Sequence, residues 1–366
     1  MTRSWAIKPM GKRLPALALS ASLLLTGCSA LLERDYSHIT PHNTAPTTEG
    51  DPSILRADSY QELVNALIYL VDIGAEEGTI RLYTETEKVE TFLSDACLEV
   101  IQEDPLGAYC VEFIKYSVDP VVTYSQAQVD ITYRRTREQV AAIEQVTGVT
   151  AIRSELGSAL TAFAPERTLR IYYFEEDEAF IQELARQAYY DAPAFALGMP
   201  EVSVSIYPGS GRQRIVEILL NYPLDRDELE ARQSALDARL DALVPELSPL
   251  SGQVRLLAAA RAVLEAGKYD PQGGSTAYDL FEDGSADSEG LALAFAALCQ
   301  KLELPCQIAQ GFRNEEPRFW TLVQTGDGWR HLDLSMEDGE DGPLYTDLQL
   351  QELGYSWMDS TLPACV

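Results

Sequence analysis

The sequence predicts an α+β protein in which two tandem modules precede a third domain built from a helix and several strands. Three observations support this prediction. Helical and strand-like periodicities follow each other in the same order twice between residues 58 and 240. Two separate pairs of segments repeat at one constant spacing, and from residue 271 a helix is followed by three strands. We place the domains at residues 58–148, 149–245 and 246–366.

Residues 1–28 have the features of a bacterial lipoprotein signal. A basic start precedes the apolar run LPALALSASLLL, which ends in LTGC at Cys28. The run is too short to span a bilayer, so we expect residues 1–27 to be removed and Cys28 to be lipidated. The alternative is an ordinary secretory signal with an incidental cysteine. The expected location is the extracytoplasmic face of a bacterial cell membrane, reached through the lipid anchor.

Residues 28–57 are rich in Thr, Pro and Ser and have no sustained apolar period. Such a composition is typical of a disordered tether, which here would join the lipid to the folded body. His38 and His42 lie in this segment. We interpret them as solvated linker residues and not as metal ligands.

The charge balance and the cysteines exclude several classes of function. The chain has 28 Lys and Arg against 57 Asp and Glu, a net charge of -29. A nucleic-acid partner requires a basic surface, so that class is excluded. Five cysteines besides Cys28 form no C-x-x-C pair, which predicts no metal site and no dense disulfide framework. A disulfide between Cys306 and Cys365 is left open.

The two modules are predicted from a repeat of 89 residues. Residues 79–83 align with 168–172, and residues 133–140 align with 222–229. Each copy reads as helix, strand, helix, a break such as EDPLG, two strands and a helix. Neither copy contains a histidine or a Gly-rich phosphate loop, so we expect no chemistry there. Two amphipathic helices, ending near residue 270, are expected to join the modules to the third domain.

The third domain is predicted to carry a helix from about residue 288 and strands at 304–312, 318–325 and 328–336. The segment TGDG between the last two strands is typical of a hairpin turn. The helix begins with Ser288, directly after an acidic loop. A nucleophile at a helix start facing a sheet that carries its base is the arrangement of papain-like enzymes.

Four short patterns in residues 284–338 resemble the transglutaminase-like domain of bacterial exported proteins, in the papain-like superfamily. They match the core helix, the G-I-P-C strand, the H-A-W-N strand and the W-x-x-x-D strand of that family. The residues that carry the resemblance are Gly284, Ser288, Gly290, Ala292, Ala294, Phe295, Leu304, Pro305, Cys306, Gly311, Arg318, Phe319, Trp320, Thr321, Trp329 and Asp333. The resemblance implies a core helix packed on an antiparallel sheet and a Cys-His-Asp triad.

Two members of that triad are replaced in this sequence. The resemblance places Ser288 at the cysteine, Arg318 at the histidine and Asp333 at the aspartate. Acyl transfer needs a base that takes and returns a proton, and a guanidinium does neither near neutral pH. We therefore predict a pseudoenzyme without cofactor or metal, in which Ser288, Arg318, Trp320 and Asp333 bind a ligand. The expected partner is an envelope protein or a peptidoglycan-related ligand.

Three alternatives stay open at this stage. His331 lies two residues before Asp333, on the same face if the strand continues, so Ser288, His331 and Asp333 would form an active hydrolase or acyltransferase. Arg318 and Asp333 would otherwise form a plain ion pair that binds nothing. The acidic residues at 282–289 would suit calcium, but their spacing differs from the EF-hand and favours a solvated loop.

Overall fold

The computed structural model describes residues 46–49, 51–336, 344–358 and 362–366. The predicted signal segment, Cys28 and the tether as far as residue 45 lie outside these ranges. Within them, no helix is both long enough and apolar enough to cross a membrane.

The first module is a five-stranded sheet in the order β1-β2-β3-β5-β4, backed by helices. Parallel pairing of β2 with β3 is followed by antiparallel pairing across β5 and β4. Leu63, Leu67 and Leu93 are among the fully buried core residues. The elements are β1 Thr47–Glu49, β2 Asp51–Ala57, α1 Tyr60–Asp72, β3 Glu77–Leu82, α2 Thr86–Gln102, α3 Pro105–Cys110, β4 Val111–Val121, β5 Tyr124–Tyr133 and α4 Arg137–Ala141.

Two expectations for this module are wrong. The predicted tether extended to residue 57, but β2 is a strand of the sheet, and Leu55 and Ala57 are buried in its core. The break predicted at EDPLG, residues 103–107, instead leads at Pro105 into the helix α3. Local chemistry explains α3, because the Asp104 carboxylate accepts a hydrogen bond from Gly107 N at 2.8 Å and Pro105 occupies the first turn.

The second module repeats the first. Its sheet has the order β6-β7-β9-β8, with the same parallel and antiparallel pairings as β2-β3-β5-β4. Strands β7 and β9 begin 89 residues after β3 and β5, at Glu166 against Glu77 and at Gln213 against Tyr124. The elements are β6 Glu144–Val146, α5 Gly148–Thr161, β7 Glu166–Tyr172, α6 Glu178–Asp191, a 3-10 turn Pro193–Phe195, β8 Glu201–Tyr207 and β9 Gln213–Asn221.

The third domain surrounds one buried helix, α10. Nine of its fourteen residues are apolar, and the helix contacts α7, α8 and α9 as well as the sheet. A helix that is apolar all round needs cover on every side, which the linking helices α7 and α8 provide here. The helices are α7 Arg226–Leu247, α8 Gly252–Ala266, α9 Ala277–Asp283, α10 Ser288–Lys301 and α11 Asp347–Glu352.

The strands of this domain form a four-stranded antiparallel sheet and a small two-stranded one. The larger sheet has the order β14-β13-β12-β15, and its three long strands confirm the predicted run of strands after α10. The strands are β10 Lys268–Gly274, β11 Ser285–Ala286, β12 Cys306–Arg313, β13 Glu316–Thr325, β14 Gly328–Leu332 and β15 Tyr355–Ser356.

Module 2 and the third domain share one continuous hydrophobic core. Gln300 Nε2 donates to the backbone oxygen of Asp191 at 2.7 Å. Tyr190 of α6 packs its ring against Phe319 of β13, with centroids 5.7 Å apart. This contact places α6 beside the start of α10, where the candidate site lies.

Candidate functional site

Ser288 is the first residue of α10, as the sequence predicts. The Asp287 carboxylate caps the helix by accepting from Gly290 N at 2.9 Å. A Cβ atom at Gly290 would lie 2.7 Å from the Ala286 side chain and 2.9 Å from the backbone oxygen of Gly274. The glycine therefore lets the helix start pack directly on β10 and β11, which fixes the position of Ser288.

The Ser288 hydroxyl is enclosed. Its Oγ accepts a hydrogen bond from Phe319 N at 3.2 Å, and the residue is only 9% exposed. The space bordered by Ser288, Phe319 and Asp333 is too small to hold a water molecule. A substrate carbonyl cannot approach this oxygen without movement of the surrounding side chains.

Arg318 is buried on β13 with a hydrogen bond on every nitrogen. Nε donates to Asp333 Oδ2 at 3.4 Å, Nη1 donates to the Tyr269 hydroxyl at 2.5 Å, and Nη2 donates to the backbone oxygen of Ser335 at 3.1 Å. Burial alone lowers the pKa of Arg318, but Asp333 and Tyr269 more than offset this and raise it above its ordinary value. The guanidinium stays charged and cannot act as a base.

Asp333 is held by four donors. Its Oδ1 accepts from the backbone nitrogen of Ser335 at 2.7 Å and from the Ser335 hydroxyl, while Oδ2 accepts from the Tyr355 hydroxyl at 2.5 Å and from Arg318. Ser335, Tyr355 and Tyr269 were missed by sequence reasoning. Only Ser335 had a local signal, since a serine two residues after an aspartate is typical of a turn closed by the carboxylate.

His331 is fully buried and lies away from Ser288. Its Nδ1 accepts from Trp320 Nε1 at 2.9 Å, and its Nε2 lies 2.8 Å from Asp347 Oδ1. Because Nδ1 is an acceptor, the proton is on Nε2, which donates to Asp347. Among the described residues, no hydrogen bond joins His331 to Ser288 or to Asp333. The contacts that the hydrolase alternative requires are not formed.

The sequence of the third domain matches a known family. Residues 243–334 match the family model of the transglutaminase-like superfamily. These residues form a transglutaminase-like domain. The match includes Ser288, Arg318 and Asp333, so the fold that the resemblance implied is confirmed, while the activity of this domain is a separate matter.

Similar solved structures include a TGase and two proteins described as candidate proteases. The TGase has 14% identity and a TM-score of 0.27, covering 48% of this chain and 52% of its own. A candidate cysteine protease from Cytophaga hutchinsonii has 13% identity and a TM-score of 0.25, and the match covers 37% of this chain and 62% of that protein. A candidate protease from Parabacteroides distasonis has 9% identity and a TM-score of 0.20, and the match covers 73% of this chain and 43% of that protein. This chain thus spans less than two thirds of each, and no curated protein sequence matches it.

Trp320, predicted as a ligand contact, is a core residue of the transglutaminase-like domain. It is 1% exposed and packs edge-on against Tyr355 and Trp357, with centroids 5.3 and 5.8 Å away. Its indole N–H donates a hydrogen bond to Nδ1 of His331. The side chain is therefore part of the packed core and offers almost no surface to a ligand.

His331, Asp347 and Cys365 form the one group of potential metal ligands found among the described residues. Their donor atoms lie within 4.8 Å of one another. Burial raises the pKa of Cys365 to about 12. The three residues also form a buried network that holds the C-terminal segment, since Nε2 of His331 lies 2.8 Å from Asp347 Oδ1 and Cys365 N donates to Asp347 at 3.2 Å.

The acidic residues near Ser288 do not converge on a common point. Glu282 pairs with Arg239 at 3.0 Å, Asp287 caps α10 and accepts from Ser275 Oγ at 2.6 Å, and Glu289 accepts from the Tyr190 hydroxyl at 2.9 Å. Each of these three carboxylates thus has its own protein partner. This arrangement does not resemble a calcium site, whose carboxylates share one ion.

A cleft of about 610 Å³ opens on the other side of Arg318. Its walls include two arginines and several polar side chains, at Tyr269, Arg313, Asn314, Glu316, Arg318 and Ser335. The Arg313 guanidinium lies over the Tyr355 ring, 5.5 Å from its centroid. The Nε of Arg313 is buried without a hydrogen-bond partner, and no ion pair of Arg313 is found within the described ranges.

Proposed function

We propose that this protein is a cell-surface lipoprotein whose transglutaminase-like domain is non-catalytic and binds a carboxylate-bearing ligand of the cell envelope. The observation that supports this proposal is Arg318, which stands at the position of the general base with all three nitrogens hydrogen-bonded. The lipid anchor rests on the Cys28 signal alone.

Among the residues that the structure describes, no hydrogen bond joins Ser288 to a base, which argues against acyl transfer. An unassisted hydroxyl is a poor nucleophile, and Ser288 Oγ accepts a hydrogen bond from Phe319 N instead of donating one to a base. The imidazole of the domain is engaged with Trp320 and Asp347. The leaving group would also lack a proton donor, since Arg318 keeps its protons throughout.

The cleft beside Arg318 supports a binding role. Two guanidinium groups border it in a chain whose net charge is -29, and arginine matches the fork geometry of a carboxylate. Arg313 is the more available of the two, because it lacks an acidic partner among the described residues. Peptide chain ends and the peptide strands of peptidoglycan both carry free carboxylates, which is the ligand chemistry proposed here.

The proposal is tested by measuring the affinity of soluble peptidoglycan fragments and of their carboxyl-amidated forms by calorimetry. We expect amidation, or Arg313→Gln, to weaken binding by about tenfold, the effect of one charge-assisted hydrogen bond. Arg212→Gln is the matched control, since Arg212 is exposed in module 2 and lies outside the cleft. Equal affinity for amidated and free fragments, or equal loss in both variants, would contradict a carboxylate site at this cleft.

A further inference from the structure

The hairpin that joins β4 to β5 ends in an exposed apolar tip, formed by Val121 and Val122. Val121 is 45% exposed, and Val122 is completely exposed. The two strands stay paired as far as Val121 and Tyr124, so a regular hairpin carries the valines away from the sheet. Single exposed apolar residues are common on protein surfaces. The tip therefore needs a second observation before it indicates a partner.

The described chain enters the sheet of module 1 at the same end as this tip. Thr47 of β1 pairs with Arg56 of β2. Arg56 pairs with Arg81 of β3, which in turn pairs with Gln126 of β5, two residues after the β5 strand begins. Residues paired in this way form one row across the sheet, and neighbouring strands lie about 4.8 Å apart. The entry point is therefore about 20 Å from the tip, along one end of the sheet.

The chain before this entry point leads to Cys28, the lipid attachment site of the proposed function. Residues 29–45 separate Cys28 from the first described residue. Even if fully extended, a segment of this length spans at most about 60 Å. A lipid at Cys28 therefore keeps module 1 near the bilayer, and it draws the end of the sheet that carries the tip toward the lipid.

The side chains between the entry point and the tip suit a membrane surface. Tyr83 and Tyr124 pack together, with ring centroids 5.5 Å apart. Arg56 lies over the Tyr83 ring, 4.4 Å from its centroid, and Arg81 lies over the Tyr124 ring at 5.0 Å. Tyrosine is enriched where a bilayer meets water, and arginine keeps its charge in the polar layer while its stem lies along apolar groups.

Acidic residues at this end limit how deep the tip can reach. Asp58 is paired with Arg56 at 2.9 Å, but Asp119 of β4 is exposed two residues before the tip. A carboxylate resists transfer out of water, so the contact stops at the boundary between headgroups and acyl chains. The net charge of -29 disfavours a strongly anionic surface, which makes zwitterionic lipid the better partner.

We propose that Val121 and Val122 insert into the headgroup boundary of the bilayer that holds the lipid anchor. This inference rests on the lipid anchor of the proposed function, and it goes further by giving module 1 the task of orienting the protein on the membrane. Burying two valines is a weak interaction for a free protein. The anchor makes the contact intramolecular and so raises the effective concentration of the tip at the surface.

The experiment places a tryptophan at the tip of the lipidated chain. Val122→Trp and Ile73→Trp are each reconstituted into phosphatidylcholine vesicles, with and without bromine on the acyl chains, which quenches tryptophan on contact. Ile73 is the matched control, since it is 55% exposed in the same module and lies just before β3 begins, at the opposite end of the sheet. We expect about half of the added fluorescence to be lost at position 122, at interfacial depth, and none at position 73.

A charge at the tip separates insertion from mere proximity. Val121→Asp in the Val122→Trp chain should restore the fluorescence, because the carboxylate holds the tip in water. Circular dichroism checks the fold of each variant, and the mass of the N-terminal peptide reports the lipid on Cys28. In a lipidated chain, quenching that is absent at position 122, equal at position 73 or undiminished in Val121→Asp would overturn the tip contact alone. A chain without lipid on Cys28 would overturn the anchor and, with it, this inference.

Discussion

At the scale of single residues, the site is a set of satisfied polar groups. Arg318 and Asp333 form a buried ion pair whose remaining hydrogen-bonding capacity is met by Tyr269, Ser335 and Tyr355. A buried charge is tolerated only when it is paired and hydrogen-bonded in this way. These hydrogen bonds stabilise the ion pair, and they also leave neither Arg318 nor Asp333 available to exchange a proton with Ser288.

Glu289, the residue after Ser288, differs from these groups because its pKa is raised into the neutral range. Burial raises its pKa to about 7, the Tyr190 hydrogen bond partly counteracts this, and Asp287 adds to the rise. Between these two pKa values, the Glu289 carboxyl is therefore protonated in the folded state but ionised in the unfolded state, where its pKa is the ordinary 4.5. The free energy of unfolding should decrease as the pH rises from about 5 to 8, by about 2 kcal/mol.

Urea unfolding of Glu289→Gln across this pH range checks the expectation. The variant cannot ionise at this position, so its stability should change less with pH and exceed that of the wild type at pH 8. Glu282→Gln, at an exposed residue of the same acidic loop, serves as the control and should keep the wild-type profile. A wild-type pH profile in Glu289→Gln would show that this carboxyl is not responsible.

At the scale of elements, the start of α10 depends on close packing that only glycine permits. Gly290→Ala would bring Cβ within 2.7 Å of Ala286 and 2.9 Å of the backbone of Gly274. We expect a loss of about 2 kcal/mol in the free energy of unfolding, from overpacking. Gly157→Ala in α5 is the matched control, since nothing lies within 4 Å of its Cβ, and it should stabilise by about 0.5 kcal/mol. Equal effects of the two substitutions would mean that packing at Gly290 is not tight.

The long elements of the transglutaminase-like domain were predictable, and the network behind them was not. Helix α10 and strands β12 to β14 follow from periodicity and turn signals. The shared face of His331 and Asp333 was wrong because β14 ends at Leu332, so the alternation of a strand does not extend to Asp333. Asp347, Tyr355 and Cys365 reach the site from a returning C-terminal segment, a long-range contact that no local pattern encodes.

At the scale of the whole molecule, the repeat explains the architecture. The constant offset of 89 residues predicts two copies of one sheet, and the four strands of the second sheet repeat the order of β2-β3-β5-β4 in the first, which has β1 as an additional edge strand. The copies differ in their packing: module 2 merges with the third domain into one core, while module 1 has a separate core to which Ile215 and Tyr207 of module 2 contribute. Modules 1 and 2 are joined by the ion pair of Arg135 with Glu217 at 2.7 Å. The sequence predicts the copies but not which of them supports the site.

We propose that no nucleophile is activated at the transglutaminase-like site. The most direct test of this proposal is labelling of the purified protein with a fluorophosphonate probe, which modifies a serine only when a base activates it. We expect no labelling above that of Ser288→Ala, at neutral or alkaline pH. Labelling of the wild type that is lost in both Ser288→Ala and His331→Gln would contradict the account and establish a serine hydrolase.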